Sequence, residues 1–557
     1  MDWFLVACYL LSSIVIGLWA NRYVGNLSDY LVAGRKLRLR LALATMTGTE
    51  LGLVTVMYMA ELGFTQQYAS LYLAFLEAGA VLLIGLTGFV VYRLRQSSIM
   101  TIPEYYEQRY SQKVRVVGAT VMVISGVLNM GLFLKAGSQF LTAISGLQDE
   151  IYLKLIMTGL LLLVLFYTVL GGMVSVVITD LIQFLILGTG MVIVTGVVFW
   201  SIGWDGLSAI VTEQNGYFDP FHDKNLSGNG KPIGWLQVVQ MAIVIGSAAL
   251  LWPTSAARTL SCQSAEVAQK LYSLSSISFL ARRALPVFWG IGTFAFFASQ
   301  PELFREFNQA VETRASITSL SAMPLFLAKV VPTGLLGLVT AGMIAAFMST
   351  HDSYLLCWSG VITQDIIAPI AGPMSQRSRI LTTRISIFVI GAMLLTWGLW
   401  YEVSSDLWGY LAVTGAVYLS GAIPTVVGGL YWKRGSQAGA LAAILGGLLG
   451  LSAMGPCVEK INELNQMKVG ETMSLEAEKV SPPEGTMSIQ AEFEKEKSKE
   501  TKQASPVIGR KYIQMEVNGT HLTLLTFAFS ITAYIVFSLL FPDRRAETNP
   551  SASANPA

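Results

Sequence analysis

Residues 41–64 read LALATMTGTELGLVTVMYMAELGF, an apolar run interrupted midway by Gly48, Glu50 and Gly52, with Thr45, Thr47 and Thr49 beside them. About 20 mostly apolar residues are what a helix needs to cross the hydrocarbon core of a bilayer. Lipid offers no hydrogen bonds, so broken backbone at that depth persists only where protein or a watery cavity satisfies it. The stretch therefore predicts a membrane span that is broken because a site lies there.

Similar apolar runs fill the chain on both sides. They number about thirteen, near residues 2–20, 41–63, 70–93, 115–143, 151–170, 173–201, 234–256, 274–298, 328–360, 379–401, 407–431, 437–455 and 521–541. The fold class expected is an all-α membrane protein of about 13 transmembrane helices. Composition agrees: of 557 residues, 53% are hydrophobic and 13% charged, against roughly a quarter charged in a soluble domain. Net charge is +2, so no global field marks a nucleic-acid binder. Cys8, Cys262, Cys357 and Cys457 are scattered without a C-x-x-C spacing, which argues against a disulfide framework or a zinc site. The first run lacks a basic flank and a small-residue cleavage site and reads as a retained helix rather than a signal peptide.

Lys and Arg collect in alternate loops. Arg22, Arg35, Lys36, Arg38 and Arg40 lie in the first and Arg93, Arg95, Arg109, Lys113 and Arg115 in the third, whereas the intervening GFTQQYAS has none. The positive-inside rule then makes the odd loops cytoplasmic, the N-terminus external and the C-terminus cytoplasmic, in a multi-pass protein of the plasma membrane. Four segments follow: a transporter domain over 1–455 with core helices about 41–201 and 234–431; a polar, disordered external loop over 456–519; a last span over 520–542; and a cytoplasmic tail over 543–557. The loop is rich in Glu, Lys, Ser and Pro, too polar to bury a core.

A second interrupted helix is VIGSAALLWPTSAARTL, residues 244–260, with Gly246 and Pro253. If spans two to six and seven to eleven form a five-plus-five inverted repeat, both broken helices come first in their repeat, the usual pointer to a midplane solute and ion site. Chance could place Gly and Pro so, since both are common in membrane helices.

Several motifs resemble the sodium/solute symporter family, whose members carry proline, pantothenate, choline and sugars. DYLVAGRKL (29–37) resembles its Asp-Tyr-Phe-Leu-Ala-Gly-Arg entry sequence, and MTIPEYYEQRY (100–110) its Thr-Leu-Pro-Glu-Phe segment. FYTVLGGMVSVVITDLIQF (166–184) is similar to its Gly-Gly signature, and GLYWKRGSQAGALAAILGG (429–447) to its eleventh-to-twelfth turn. The resemblance implies a leucine-transporter-like core with an added N-terminal helix, and one Na+ between the second and ninth helices. In GLVTAGMIAAFMSTHDSYLL (337–356) it implies as ligands the Ala346 carbonyl and the Ser349 and Thr350 hydroxyls. From the second helix it implies the Ala44 and Thr47 carbonyls, with Asp180 near the ion and its exit. A hard cation prefers such oxygens; without the motif, the two hydroxyls would read as bonded back to their own helix.

The solute contacts expected are Gly48, Glu50, Leu51, Glu77 and Trp252. Glu50 is an intramembrane acid, either a structural clip or a solute or ion contact. Trp252 matches a solute-contacting place in the family's seventh helix, though a helical Trp is commonly core. Glu77 lies where sugar carriers of the family hold a hydroxyl-binding Glu, after a loop of proline-carrier length. Where the proline carrier has an Asp, Met46 stands here. The function expected is Na+-coupled secondary active symport of a small organic solute by alternating access. An amino acid, amine or carboxylate leads; a sugar or polyol follows. A sensor or passive channel on the same fold is the reading from another class. No enzyme motif of the H-E-x-x-H or G-x-S-x-G kind occurs, so no enzyme is expected, and the only partners expected are the solute, Na+ and the lipid bilayer, with neither nucleic acid nor an obligate protein.

Overall fold

The structure is a computed structural model that describes residues 2–20, 27–147, 149–213, 233–313, 318–400, 407–454, 457–464 and 519–543. Nearly all of the polar loop expected over 456–519, and most of the tail expected over 543–557, lie outside the described residues. Among the described residues every regular element is helical, and the one strand-like contact is an isolated bridge between Leu37 and Cys262.

Helices occupy all thirteen apolar stretches. Among the described residues eight helices are long and apolar enough to cross, or up to ten if each bent pair is one span. Asp2–Ile16 and Ile151–Phe166 are apolar but short. The helix over the expected span 274–298 is Ala265–Ala298 and carries Arg282 and Arg283 midway, which removes it from an apolarity count without removing it from the bundle.

The N-terminal half contains α1 (Asp2–Ala20), the short α2 (Leu27–Val32), α3 (Leu39–Glu50), α4 (Leu53–Thr65), α5 (Tyr72–Thr87), α6 (Val91–Gln96), α7 (Ile102–Arg109), α8 (Gln112–Met130), α9 (Phe133–Ser145) and α10 (Glu150–Glu213). The Gly-Gly signature divides α10: Gly172 adopts φ 55° and ψ −159°, backbone that only glycine enters at low cost. The buried Tyr30 ring lies where a Gly172 side chain would begin.

Beyond it come α11 (Gly234–Leu251), α12 (Pro253–Ser261), α13 (Ala265–Ala298), α14 (Pro301–Thr313), α15 (Ala322–Val330), α16 (Leu335–Val361), α17 (Ala368–Ala371), α18 (Gln376–Trp400), α19 (Leu407–Tyr431), α20 (Gln437–Gly447) and a C-terminal helix, Gly519–Leu540. A six-residue π-helical turn, Ile362–Ile367, continues α16.

Two groups of helices matter for the site. In one, α13 packs along α4 and α5. A Cβ on Gly290 would lie 1.9 Å from the Ala60 carbonyl oxygen, and one on Gly63 2.1 Å from that of Val287, so these glycines let the backbones of α4 and α13 touch, as small residues do between membrane helices. In the other, α16 packs along α10, and α19 along α8, α20 and the C-terminal helix. The added α1 braces α10 and α16. The Asp2 carboxylate accepts from the amides of Gly334 and Gly337 at 2.5 and 2.9 Å, satisfying donors that the start of α16 would otherwise leave open.

Candidate functional site

The quoted stretch is broken where its composition says. Helices α3 and α4 meet at Leu51–Gly52 with a bend of 58°. The freed carbonyls are answered by other helices: that of Thr49 accepts from the Thr350 hydroxyl at 3.1 Å, and that of Glu50 from the Arg282 guanidinium. Between α11 and α12 the break falls at Trp252, which is extended at φ −63° and ψ 129°. Pro253 has no N–H for the carbonyl of Ala249, and the Tyr272 hydroxyl supplies a donor at 2.8 Å. The Tyr418 hydroxyl does the same for the Leu251 carbonyl at 3.2 Å. Backbone polar groups left open in a bilayer interior cost several kcal/mol each, so these side chains are what hold the two breaks.

One side of the first break is an oxygen cluster. Asp180, on α10 and fully buried, accepts from Thr45 and Ser349 at 2.5 Å each, from Thr49 at 3.2 Å and from Arg258 at 3.3 Å. Gly48 packs against this cluster: its Cβ position is 3.3 Å from the Asp180 carbonyl oxygen and 3.7 Å from Ser349 Oγ. Thr350 Oγ1 also bonds back to the Ala346 carbonyl at 3.0 Å and lies 2.4 Å from a Cβ position on Gly52. Ser349 and Thr350 are thus buried against the disrupted helix and do not face lipid. The Thr47 carbonyl accepts the Leu51 amide at 2.9 Å, and the Thr47 hydroxyl donates to Ser278 at 3.1 Å; the backbone opened by the break is that of Thr49 and Glu50 rather than Thr47. His351 is buried with Nδ1 at 2.8 Å from the Phe347 carbonyl oxygen, a local bond within its own helix.

On the other side lies a cavity of about 150 Å³. Its charged lining groups are Glu50, Glu77, Arg282 and Arg283, and its aromatic ones Tyr58, Phe133, Trp252, Phe279 and Tyr354. The four charges are mutually paired. Both oxygens of Glu77 accept from both guanidiniums. Glu50 accepts from Arg282 at 3.1 Å, and its other oxygen accepts from Thr254 at 3.0 Å and Ser255 at 2.6 Å. Glu50 therefore ties the end of α3 to the first turn of α12 and to α13, so the two breaks are held together through one carboxylate. The indole N–H of Trp252 donates to the Tyr354 hydroxyl at 2.7 Å, which fixes the ring as cavity wall.

Of the solute contacts expected, Glu50, Glu77 and Trp252 line this cavity, whereas Gly48 and Leu51 do not. Gly48 faces the Asp180 cluster, and Leu51 is buried in the apolar core at the break. Sequence reasoning left out Arg258, Arg282 and Arg283. Arg282 and Arg283 stand inside the expected span 274–298 and Arg258 just past the end of the span 234–256; an arginine at membrane depth calls for a named acidic partner, and Glu77 and Asp180 were available to be matched with them.

The family model described as the sodium:solute symporter family matches residues 30–447. A sodium/glucose cotransporter of Vibrio parahaemolyticus is 25% identical over 471 residues, covering 80% of this chain and 83% of its own length. A sodium/proline symporter of Staphylococcus aureus (strain Newman) is 24% identical over 463 residues, covering 80% and 84%. Among solved structures, the substrate-bound outward-open state of a Na+-coupled sialic acid symporter superposes with a TM-score of 0.70 at 16% identity, over 97% of this chain and 98% of that one; the likeness is one of fold.

Proposed function

The chain belongs to the sodium:solute symporter family and is a Na+-coupled solute carrier, not an enzyme; from that premise we propose that its solute is a small organic molecule without net charge, an amino acid or similar zwitterion before others. The observation that carries this reading is the cavity's charge balance. Two carboxylates and two guanidiniums line it, each carboxylate oxygen already accepting a hydrogen bond. A lone amine or lone carboxylate would have to break one of these pairs in a medium where unpaired charge is costly. A zwitterion meets both signs at once.

The Na+ site proposed lies between α3 and α16: the carbonyls of Ala44, Thr47 and Ala346 and the hydroxyls of Ser349 and Thr350, with Asp180 toward the exit. Support comes from the crowding of hydroxyl and carboxylate oxygens there, a donor set suited to a hard cation, and from the approach of Thr350 Oγ1 to the Thr49 carbonyl oxygen, 3.1 Å. The two interrupted helices, α3–α4 and α11–α12, support a five-plus-five inverted repeat within thirteen crossings. The basic loops support a plasma-membrane carrier with an external N-terminus.

In the cycle proposed, Na+ and solute bind from outside on either side of the first break, and rocking of one helix group against the other exposes both to the cytoplasm. One Na+ moving down about 100 mV releases about 2.3 kcal/mol, and a tenfold concentration ratio adds about 1.4 kcal/mol. The sum of roughly 3.7 kcal/mol concentrates a neutral solute several-hundred-fold, so one ion suffices.

A sugar or polyol is the second reading, supported by the glucose cotransporter among the relatives and by Asn129 in the cavity lining. The test is uptake into proteoliposomes under an inward Na+ gradient, against a panel of zwitterions, amines, carboxylates, sugars and polyols. Accumulation of a zwitterion is expected. A charged solute as the preferred substrate would overturn the charge-balance reading, and uptake indifferent to the gradient would indicate a passive channel.

A further inference from the structure

The end of the bundle away from the cavity carries a strained turn. Helix α5 stops at Gly88, and the chain re-enters α6 through Phe89 and Val90. Val90 adopts φ 64° and ψ −56°, and the Val91 amide donates to the Phe89 carbonyl at 2.8 Å. This is the γ-turn of positive φ, rare and strained for any L-residue and worse for a β-branched one.

What the turn achieves is to aim the Val90 amide at Tyr431, the last residue of α19. That amide donates to the Tyr431 hydroxyl at 3.1 Å. Phe89 stacks on one face of the Tyr431 ring, with centroids 5.4 Å apart and planes 16° from parallel. The Arg93 guanidinium lies over the same ring at 4.3 Å and donates to the Leu430 carbonyl at 2.7 Å. The side chain of Tyr431 is therefore gripped by three consecutive features of a single strained segment.

The grip joins the α5–α6 corner to the end of α19. The α5–α6 corner is bound to α12 and α13: Arg95 donates to the Cys262 carbonyl at 2.6 Å, Gln269 to the Leu86 carbonyl at 3.1 Å, and Tyr92 to Glu266 at 2.9 Å. Helix α19 packs on α8, α20 and the C-terminal helix and meets α11 nearer the cavity, where Tyr418 bonds to the Leu251 carbonyl. Cavity-lining residues of α19 end at Leu419, and twelve further residues at 1.5 Å each put Tyr431 about 18 Å beyond them along the helix.

We propose that Tyr431, clasped by Phe89, Val90 and Arg93, is the latch of the inner gate, and that the strained Val90 turn biases the latch toward release. The proposal rests on the alternating-access reading above. In the latched state the α5–α6 corner and the end of α19 close the path from the cavity. Rocking of α12 and α13 pulls Phe89 and Arg93 off the ring, and Val90 relaxes to ordinary backbone. Breaking the ring contacts is unfavourable and relieving the turn is favourable, so the latch opens on a modest ion- and solute-driven bias.

Cys357, whose Sγ lies 3.8 Å from the Pro253 carbonyl oxygen, serves as a reporter of movement of α12. It lies on α16 seven residues past Thr350 and lines a small, mostly apolar cavity walled by α12 and α16 together with residues of α2, α7, α8 and α10. With Cys8, Cys262 and Cys457 replaced by serine, its rate of modification by a membrane-impermeant cationic methanethiosulfonate is measured in inside-out vesicles, with and without Na+. Tyr431→Ala is expected to raise the rate about tenfold, from loss of the stack, the cation–π contact and the hydrogen bond. Tyr431→Phe, which keeps both ring contacts, raises it less. Val90→Gly is expected to lower the rate below that of the parent, because glycine adopts the turn without strain. A parental rate in Tyr431→Ala protein of unchanged melting temperature overturns the proposal, as does a faster rate in Val90→Gly. If Tyr431→Ala fails to fold, a parental rate in Tyr431→Phe does the same. Na+ should slow labelling in every variant; if it has no effect while the variants spread as described, the coupling reading fails and the latch stands.

Discussion

Replacing Glu77 with glutamine tests the charge quartet by removing one of its four members at nearly constant volume. Glu77 and Arg283 are each 4% exposed and Arg282 is 8% exposed, so solvent reaches them only through the cavity they line. Opposite charges about 4 Å apart attract by about 4 kcal/mol at an effective dielectric of 20. Glu77 has two such partners, hence a gross loss of about 8 kcal/mol on the same scale. The amide keeps part of the hydrogen bonding and no longer bears the desolvation cost of the carboxylate, several kcal/mol, so the net destabilisation expected is about 3–5 kcal/mol. The cavity changes from two positive and two negative lining charges to a net charge of +1. Unfolding in mixed detergent–SDS micelles reads the stability, and uptake kinetics read the specificity: KM for the native zwitterion rises while an anionic analogue gains binding. The double variant Glu77→Gln with Arg283→Gln restores the balance and should recover about 2 kcal/mol relative to the sum of the single changes, as contacting pairs do. A loss below about 1 kcal/mol in Glu77→Gln, or strict additivity in the double variant, refutes the view that these charges compensate one another.

Three further outcomes are expected. In Gly52→Ala, whose Cβ would meet Thr350 Oγ1 at 2.4 Å, backbone conformation is permissive, so the effect is purely one of space; overpacking of about 1–3 kcal/mol should push the Thr350 hydroxyl aside and raise the Na+ half-saturation concentration of uptake about tenfold or more. Trp252→Phe keeps an aromatic wall and loses the bond to Tyr354, and should raise solute KM severalfold with Na+ dependence unchanged, measured as initial uptake rates. Asp180→Asn strands Arg258, which is 1% exposed, without its countercharge; a melting-temperature drop is expected together with weakened Na+ binding, and Asp180→Asn combined with Arg258→Gln should recover the first but not the second.

How much of this was legible in residues alone depends on the kind of signal. The break in α3–α4 was readable because Gly48, Glu50 and Gly52 stand out against lipid-compatible neighbours, and the bundle because apolar runs of the right length admit few other structures. The meeting of Ser349 and Thr350 with that break came through a family motif; periodicity gave no such pairing, since hydroxyls bonded back to their own helix look the same in sequence. Helix α13 shows the limit. Read as an ordinary span, it hides Arg282 and Arg283, whose partner Glu77 lies about 205 positions away; contacts at that separation are set by the packing of α13 on α5, which no local pattern encodes. Gly48 and Leu51 adjoin the break in sequence as Glu50 does and lie outside the cavity lining: a helix turns about 100° per residue, so adjacency in sequence does not set which residues at a break face one cavity. The strained Val90 turn had no signal at all, because valine is the residue least expected at positive φ.

The most direct measurement is equilibrium binding of radioactive Na+ to the purified carrier, with and without a transported solute, in the parent protein and in the pair Ser349→Ala and Thr350→Ala. The account predicts saturable binding by one ion in the parent, a rise in Na+ affinity on adding solute matched by an equal rise in solute affinity on adding Na+, and loss of both in the variants. Parental Na+ binding after both hydroxyls are removed, or solute affinity identical in Na+ and choline buffers, would contradict it.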